Sequence, residues 1–147
     1  MINVINEKEL FKINKSSDLK IEQRKINGTD VPIIIVDNLY VNPEDVREFS
    51  FTLPYTKSKS ILLNSPGKRV KLDLDIKHLQ DFTFNLIDRK NDGYIKPQVI
   101  FNRMRSDEKL TEVQTRPHID TAVNMSHAIV IYLNTDDECR GGTSFYR

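Results

Sequence analysis

The triplet His118-Ile119-Asp120 sets two chemically useful side chains at a telling spacing. In a strand, residues two apart point to the same face, so an imidazole and a carboxylate would stand side by side with Ile119 turned away. That pair is two thirds of the two-histidine, one-carboxylate set that holds non-haem Fe(II) and leaves coordination positions open. Alone, such a triplet also fits a surface pair beside a turn. Its neighbourhood sharpens the reading. An apolar stretch, Ala128-Ile-Val-Ile-Tyr-Leu-Asn134, comes next, then an acidic turn at Asp136-Asp137-Glu138, then Gly141-Gly142-Thr143-Ser144-Phe145-Tyr146.

Composition narrows the class of protein that carries this segment. The chain has 147 residues, the size of one ordinary domain. Its hydrophobic fraction of 38% is enough for a core, and 22 basic against 21 acidic residues leave a net charge of +1. That balance argues against a dedicated nucleic-acid binder. The longest apolar run, residues 31–36, holds Pro32 and falls far short of the roughly 20 residues a membrane helix needs. One cysteine, Cys139, and a start without the basic-then-apolar layout of a signal peptide favour a reducing, cytoplasmic setting. There is no P-loop, Rossmann fingerprint, zinc-finger spacing or G-x-S-x-G.

The elements that must position the triplet change character along the chain. Leu19, Ile21 and Ile26 predict one or two short strands closed by the turn Asn27-Gly28. Residues 31–36 are β-branched and continuous, the pattern of a buried strand. Asn42-Pro43-Glu44-Asp45 opens a helix: Asn42 can cap, Pro43 suits the first position, and two acids face the positive end of the dipole. Val46, Phe49 and Leu53 form its apolar face. A second helix is expected over 73–88, where Ile76, Leu79, Phe82, Leu86 and Ile87 recur at three- and four-residue steps. Beyond Asn91-Asp92-Gly93 the period falls to two, and strands are expected at 94–104, 114–120, 128–134 and 143–147. Helices followed by antiparallel strands give an α+β domain. Lys57, Lys59, Lys68, Arg69 and Lys71 fall in a stretch without an acid, which reads as a solvated loop face or a guide for an anionic ligand. His78, beside Leu79, reads as a solvated helix residue.

The segment from Gln98 to Arg147 resembles the Fe(II)- and 2-oxoglutarate-dependent oxygenases, especially the prolyl-hydroxylase-like group. There an H-x-D is followed by a YLN-type strand and a GGT-x-F stretch. A weaker likeness covers Ile33 to Leu39, Asn42 to Arg47 and Pro66-Gly67-Lys68-Arg69, which look like the front of an uncharacterised phage and bacterial branch of that superfamily. The resemblance implies N-terminal helices packed on a partial double-stranded β-helix, or jelly roll. Residues 1–93 would support the first core strands in 94–147 within one domain. It implies Fe(II) held by His118 and Asp120, 2-oxoglutarate as co-substrate, and hydroxylation of a small-molecule or peptidyl substrate with release of succinate. Asn102, Arg103 and Arg105 lie where the family often draws co-substrate contacts, and polar strand-end residues are the plainer reading. Tyr132 and Asn134 could line the pocket or pack in the core, since alternation alone does not say which face of their strand is inside.

The family's second iron-binding histidine lies well after the GGT segment, and no histidine follows Gly142 here. The chain therefore reads as the N-terminal part of an oxygenase domain, ending inside the fourth core strand and inactive by itself. His127 heads the strand that belongs to the opposite sheet in the family barrel, and a polar strand-end role suits it better than ligation. Arg147 could reach an anionic co-substrate or fray. A non-catalytic jelly-roll module for binding or assembly, retaining H-x-D as a relic, is the alternative. Open strand edges in an incomplete barrel would favour self-association.

Overall fold

The computed structural model describes residues 6–57, 66–87, 99–105, 107–116 and 129–138. Their architecture is α+β, with three helices and two small antiparallel sheets. The first element is a single helical turn, α1 (Glu7–Leu10), which the weak periodicity of the first 30 residues concealed. Asn6 caps it by accepting from the Glu9 amide, and Glu7 and Glu9 lie in its first turn.

Strands β1 (Lys20–Lys25) and β2 (Pro32–Asp37) form the first sheet, an antiparallel ribbon running from Lys20↔Asp37 to Lys25↔Pro32. The expected turn joins them, and Gly28 takes φ +74°, a left-handed value that costs glycine nothing. One expectation is corrected here. The continuous apolar strand is half-buried, and β1 is exposed along its whole length. A two-stranded ribbon leaves side chains on both of its faces partly open to water, however apolar the run.

Helix α2 (Pro43–Phe51) follows as expected, with Pro43 at its start, although Asn42 makes no side-chain capping bond. Val46 and Ser50, four apart, face inward, and Val46 is 1% exposed. The second sheet has the order β3-β4-β5, all antiparallel, from β3 (Thr56–Lys57), β4 (Lys68–Leu72) and β5 (Val99–Arg103). The basic stretch, expected as a loop, thus supplies two strands. Helix α3 (Lys77–Leu86) begins four residues later than its apolar stripe predicts. The reason lies in Leu72, Leu74 and Ile76, which turn inward at every second residue ahead of the helix; Leu72 is part-buried and Leu74 and Ile76 are buried.

The core gathers Phe11, Tyr40, Val46, Leu74, Ile76 and Leu79, with Leu72, Val99 and Phe101 of the second sheet packed against it. Edge-on ring contacts run through it, Phe11–Tyr40 and Phe11–Phe49 at 6.1 Å and Phe49–Phe101 at 6.0 Å. His78 is not a solvated residue. Its Nε2 lies 2.8 Å from the Phe11 carbonyl oxygen, and because a carbonyl only accepts, the ring carries its proton on Nε2. This bond ties α3 to the end of α1.

Two strand expectations need correction toward the end of the chain. Residues 113–115 form a 3-10 turn, not the start of a strand. Thr111 and Gln114 hold it reciprocally: the Thr111 amide donates to Gln114 Oε1 at 2.8 Å and the Gln114 amide to Thr111 Oγ1 at 3.4 Å. This is the geometry of a capping box. Residues 129–133 have no regular secondary structure and join no ladder among the described residues. The strands expected at 143–147 and over 94–98 and 117–120 lie outside the described residues, as does residue 128.

Candidate functional site

His118 and Asp120 lie outside the described residues, as do His127, Cys139 and Arg147. Among the described residues no group of three His, Cys, Asp or Glu side chains could hold a metal ion. The remaining candidates fall on two elements, β5 and the segment 129–134.

On β5, Asn102 and Arg103 are sequence neighbours and therefore face opposite sides of the sheet. Arg103 shares its side with Phe101, which packs on the core, whereas Asn102 stands on the outer side opposite Arg69. One pocket on one face of the sheet can use one of the two. The alternation left open for 128–134 resolves in the same manner. Ile131 and Leu133 are part-buried and pack against the core, whereas Tyr132 and Asn134 are exposed, Tyr132 by more than half.

The Arg103 side chain reaches a cluster that the sequence did not single out. Its guanidinium lies 5.3 Å from the centre of the Phe51 ring and 6.0 Å from that of Tyr55. A second guanidinium, that of Arg47, lies 5.1 Å from the Phe51 ring, at the four-residue spacing of one helix face. Arg47 also makes a forked pair with Glu138, at 2.7 and 2.8 Å, and reaches Glu44 at 3.2 Å. Burial works against the Arg47 charge, but the hydrogen bond to Glu44 and the Glu138 carboxylate outweigh it and raise its pKa. Glu138 is itself oriented by the Thr135 amide, which donates to it at 3.2 Å. The neighbouring Asp137 carboxyl is held low, first by the Thr135 hydroxyl. Burial pushes the Tyr55 phenol up, against the hydrogen bond to Ser50 and the charge of Arg103.

The same end of the sheet collects further cations. Lys57, Lys68 and Arg103 stand directly opposite one another across all three strands. Gly67, just before Lys68, takes φ +78°, and a Cβ there would lie 2.4 Å from the Arg103 carbonyl oxygen. Only glycine lets the chain enter β4 so close to the end of β5. One signal for this cluster was available in the sequence: Phe51 is an aromatic residue off the Val46–Phe49–Leu53 stripe, and it is 44% exposed.

The structure thus defines an α+β domain with a cationic, aromatic-flanked sheet end. The chain belongs to DUF6445, a family of unknown function, whose profile matches residues 17–147. No curated protein and no solved structure matches it.

Proposed function

We propose that this chain carries the iron-binding segment of an Fe(II)- and 2-oxoglutarate-dependent oxygenase, built on a jelly roll and working in the reducing cytoplasm. The observation that carries the reading is the sequence order H-x-D, YLN, GGT-x-F over His118 to Phe145. The inward alternation of Ile131 and Leu133 supports it, because a barrel strand buries every second residue in this way. A helix-backed antiparallel sheet ahead of the motif is compatible with the support region such a barrel needs.

The donor chemistry fits the metal: a neutral imidazole and a carboxylate are the ligand types that non-haem Fe(II) takes. His118 and Asp120 would hold it, and bound iron would supply oxygen activation coupled to decarboxylation of 2-oxoglutarate. The chain's own residues hold and orient. Arg103, with its guanidinium steadied against Phe51 and Tyr55, offers a positive charge to an anionic co-substrate. Tyr132 and Asn134, both exposed, are the remaining polar contacts.

Mn(II), a paramagnetic stand-in for Fe(II), tests this directly. Electron paramagnetic resonance titration should show weak one-to-one binding, since two protein ligands are fewer than the usual three. Binding should disappear in His118→Ala and in Asp120→Ala and persist in Asn102→Ala. Mn(II) binding that survives both changes, or its absence from the unaltered chain, would remove the oxygenase reading.

A further inference from the structure

From the cross-strand row Lys57–Lys68–Arg103 we infer a binding site for the phosphate or pyrophosphate group of a small ligand. The inference does not depend on iron, and it shares Arg103 with the co-substrate contact proposed above. Directly paired residues in antiparallel strands have Cβ atoms about 4.5–5.5 Å apart, and like charges so placed repel. Here the pairing repeats twice, Lys57↔Lys68 and Lys68↔Arg103, which sets three positive side chains along one line. Neighbouring strands lie roughly 4.8 Å apart, so the line spans roughly 10 Å, the reach of one or two phosphoryl groups.

Among the described residues one carboxylate meets the row. Lys57 has a long contact with Glu108, at 3.8 Å, on the outer strand. Lys68 and Arg103 form no ion pair with the described residues, and the connection from Ser58 to Gly67 contains no acid and one further lysine, Lys59. Among the described residues, three cations against one carboxylate leave an excess of two positive charges, matching a phosphate group of about −1.5 to −2. Several other cations are ion-paired, although Lys8, Lys15, Lys20, Lys71 and Lys109 also form no ion pair with the described residues. Arg24 is paired with Glu22, Lys25 with Asp30, Arg47 with Glu44 and Glu138, and Arg105 with Asp107.

Two features build the row as a site. Gly67 brings the start of β4 against the Arg103 carbonyl, a close approach that fixes Lys68 opposite Arg103. The Phe51 and Tyr55 rings steady the Arg103 guanidinium without neutralising it. A planar guanidinium that pairs with no carboxylate among the described residues is suited to forked hydrogen bonding to phosphate oxygens. A small ligand suits the row better than a nucleic-acid backbone, because the line is short and the chain's net charge is only +1.

The test is isothermal titration of the full 147-residue chain with pyrophosphate at about 0.15 M ionic strength, where surface charges are screened beyond roughly 8 Å. Pyrophosphate should bind one-to-one, and Lys68→Gln and Arg103→Gln should each weaken it by about tenfold or more. Lys71→Gln, on the other face of β4, should not weaken it. Without ligand, Lys68→Gln should raise the melting temperature, because it removes the repulsion; an ordinary solvated lysine would leave it unchanged. Titrations with inorganic phosphate and with a mononucleotide identify the source, and binding of either through Lys68 and Arg103 supports the site. Absence of pyrophosphate binding, or equal weakening by Lys71→Gln, overturns it. So does binding confined to a single-stranded oligonucleotide, which would make the row a nucleic-acid contact.

Discussion

The two sheets of this domain are built on opposite principles. The β1–β2 ribbon has the longer strands and the most apolar run in the chain, yet none of its residues belongs to the core or packs against it among the described residues. The β3–β4–β5 sheet is shorter and more basic, and it supplies Leu72, Val99 and Phe101 to the core. The ribbon is held by a local ladder, a tight turn and nearby ion pairs such as Glu22–Arg24. The other sheet is held by what lies across its face. Apolar content within a strand therefore says little about where a core forms; the decisive factor is which face another element covers.

The largest expected effect tests that difference head-on. Leu79→Ala, in α3 over the core, should destabilise the domain by about 2–5 kcal/mol in urea unfolding. Ile21→Ala, in β1 and half exposed, should change stability by no more than about 0.5 kcal/mol. Equal costs would mean that the ribbon is part of the core.

A smaller effect comes from Tyr40, buried between α1 and α2 in chain order, whose phenol desolvation pushes up to about 12 from an ordinary 10.0. The folded state therefore keeps a proton that the unfolded chain loses. Its contribution is complete below about pH 10 and is lost as pH rises toward about 12, by roughly 1.4 kcal/mol for each pH unit. Denaturation at a series of alkaline pH values should show this loss in the unaltered chain and a flatter dependence in Tyr40→Phe. Parallel slopes would show that the Tyr40 hydroxyl does not report core burial.

The smallest effect compares ion pairs. Glu138→Gln removes the forked partner of Arg47, whose side chain is 19% exposed, and should lower the denaturant midpoint slightly, less in high salt. Glu22→Gln, which unpairs Arg24 on the open ribbon, should leave the denaturant midpoint unchanged. If the ribbon pair proved the costlier, local ion pairing would carry more of the fold than its exposure implies.

Much of this was legible in the residues. The cap-position asparagine, proline and acids of Asn42 to Asp45 placed α2, the Asn27-Gly28 pair placed the ribbon turn, and Val46, Ile76 and Leu79 appeared on apolar faces. Phe11, Tyr40 and Leu74 were missed because each is buried from outside a helix or long strand, where no periodicity marks it. Thr111-x-x-Gln114 did carry the signature of its turn, but the β-like composition nearby overrode it. For the site, the sequence singled out Arg103 through the family resemblance, without its setting. Phe51 with Tyr55, Lys68 and Arg103 come from three separate stretches, and only the register of β4 against β5 and the end of α2 bring them together.

The hydrogen bond from His78 to the Phe11 carbonyl has a consequence for biosynthesis. Its partners are 67 residues apart, and α1 is a single turn of four residues, too short to persist alone. At a synthesis rate of roughly 5–20 residues per second, Phe11 would wait about 3 to 13 seconds after its own incorporation before His78 is made. During that interval the β1–β2 ribbon, whose partners are close in sequence, can already pair. Tyr40 and Phe49 can hold Phe11 in the meantime, and the bond that locks the end of α1 to α3 forms only once His78 has been made.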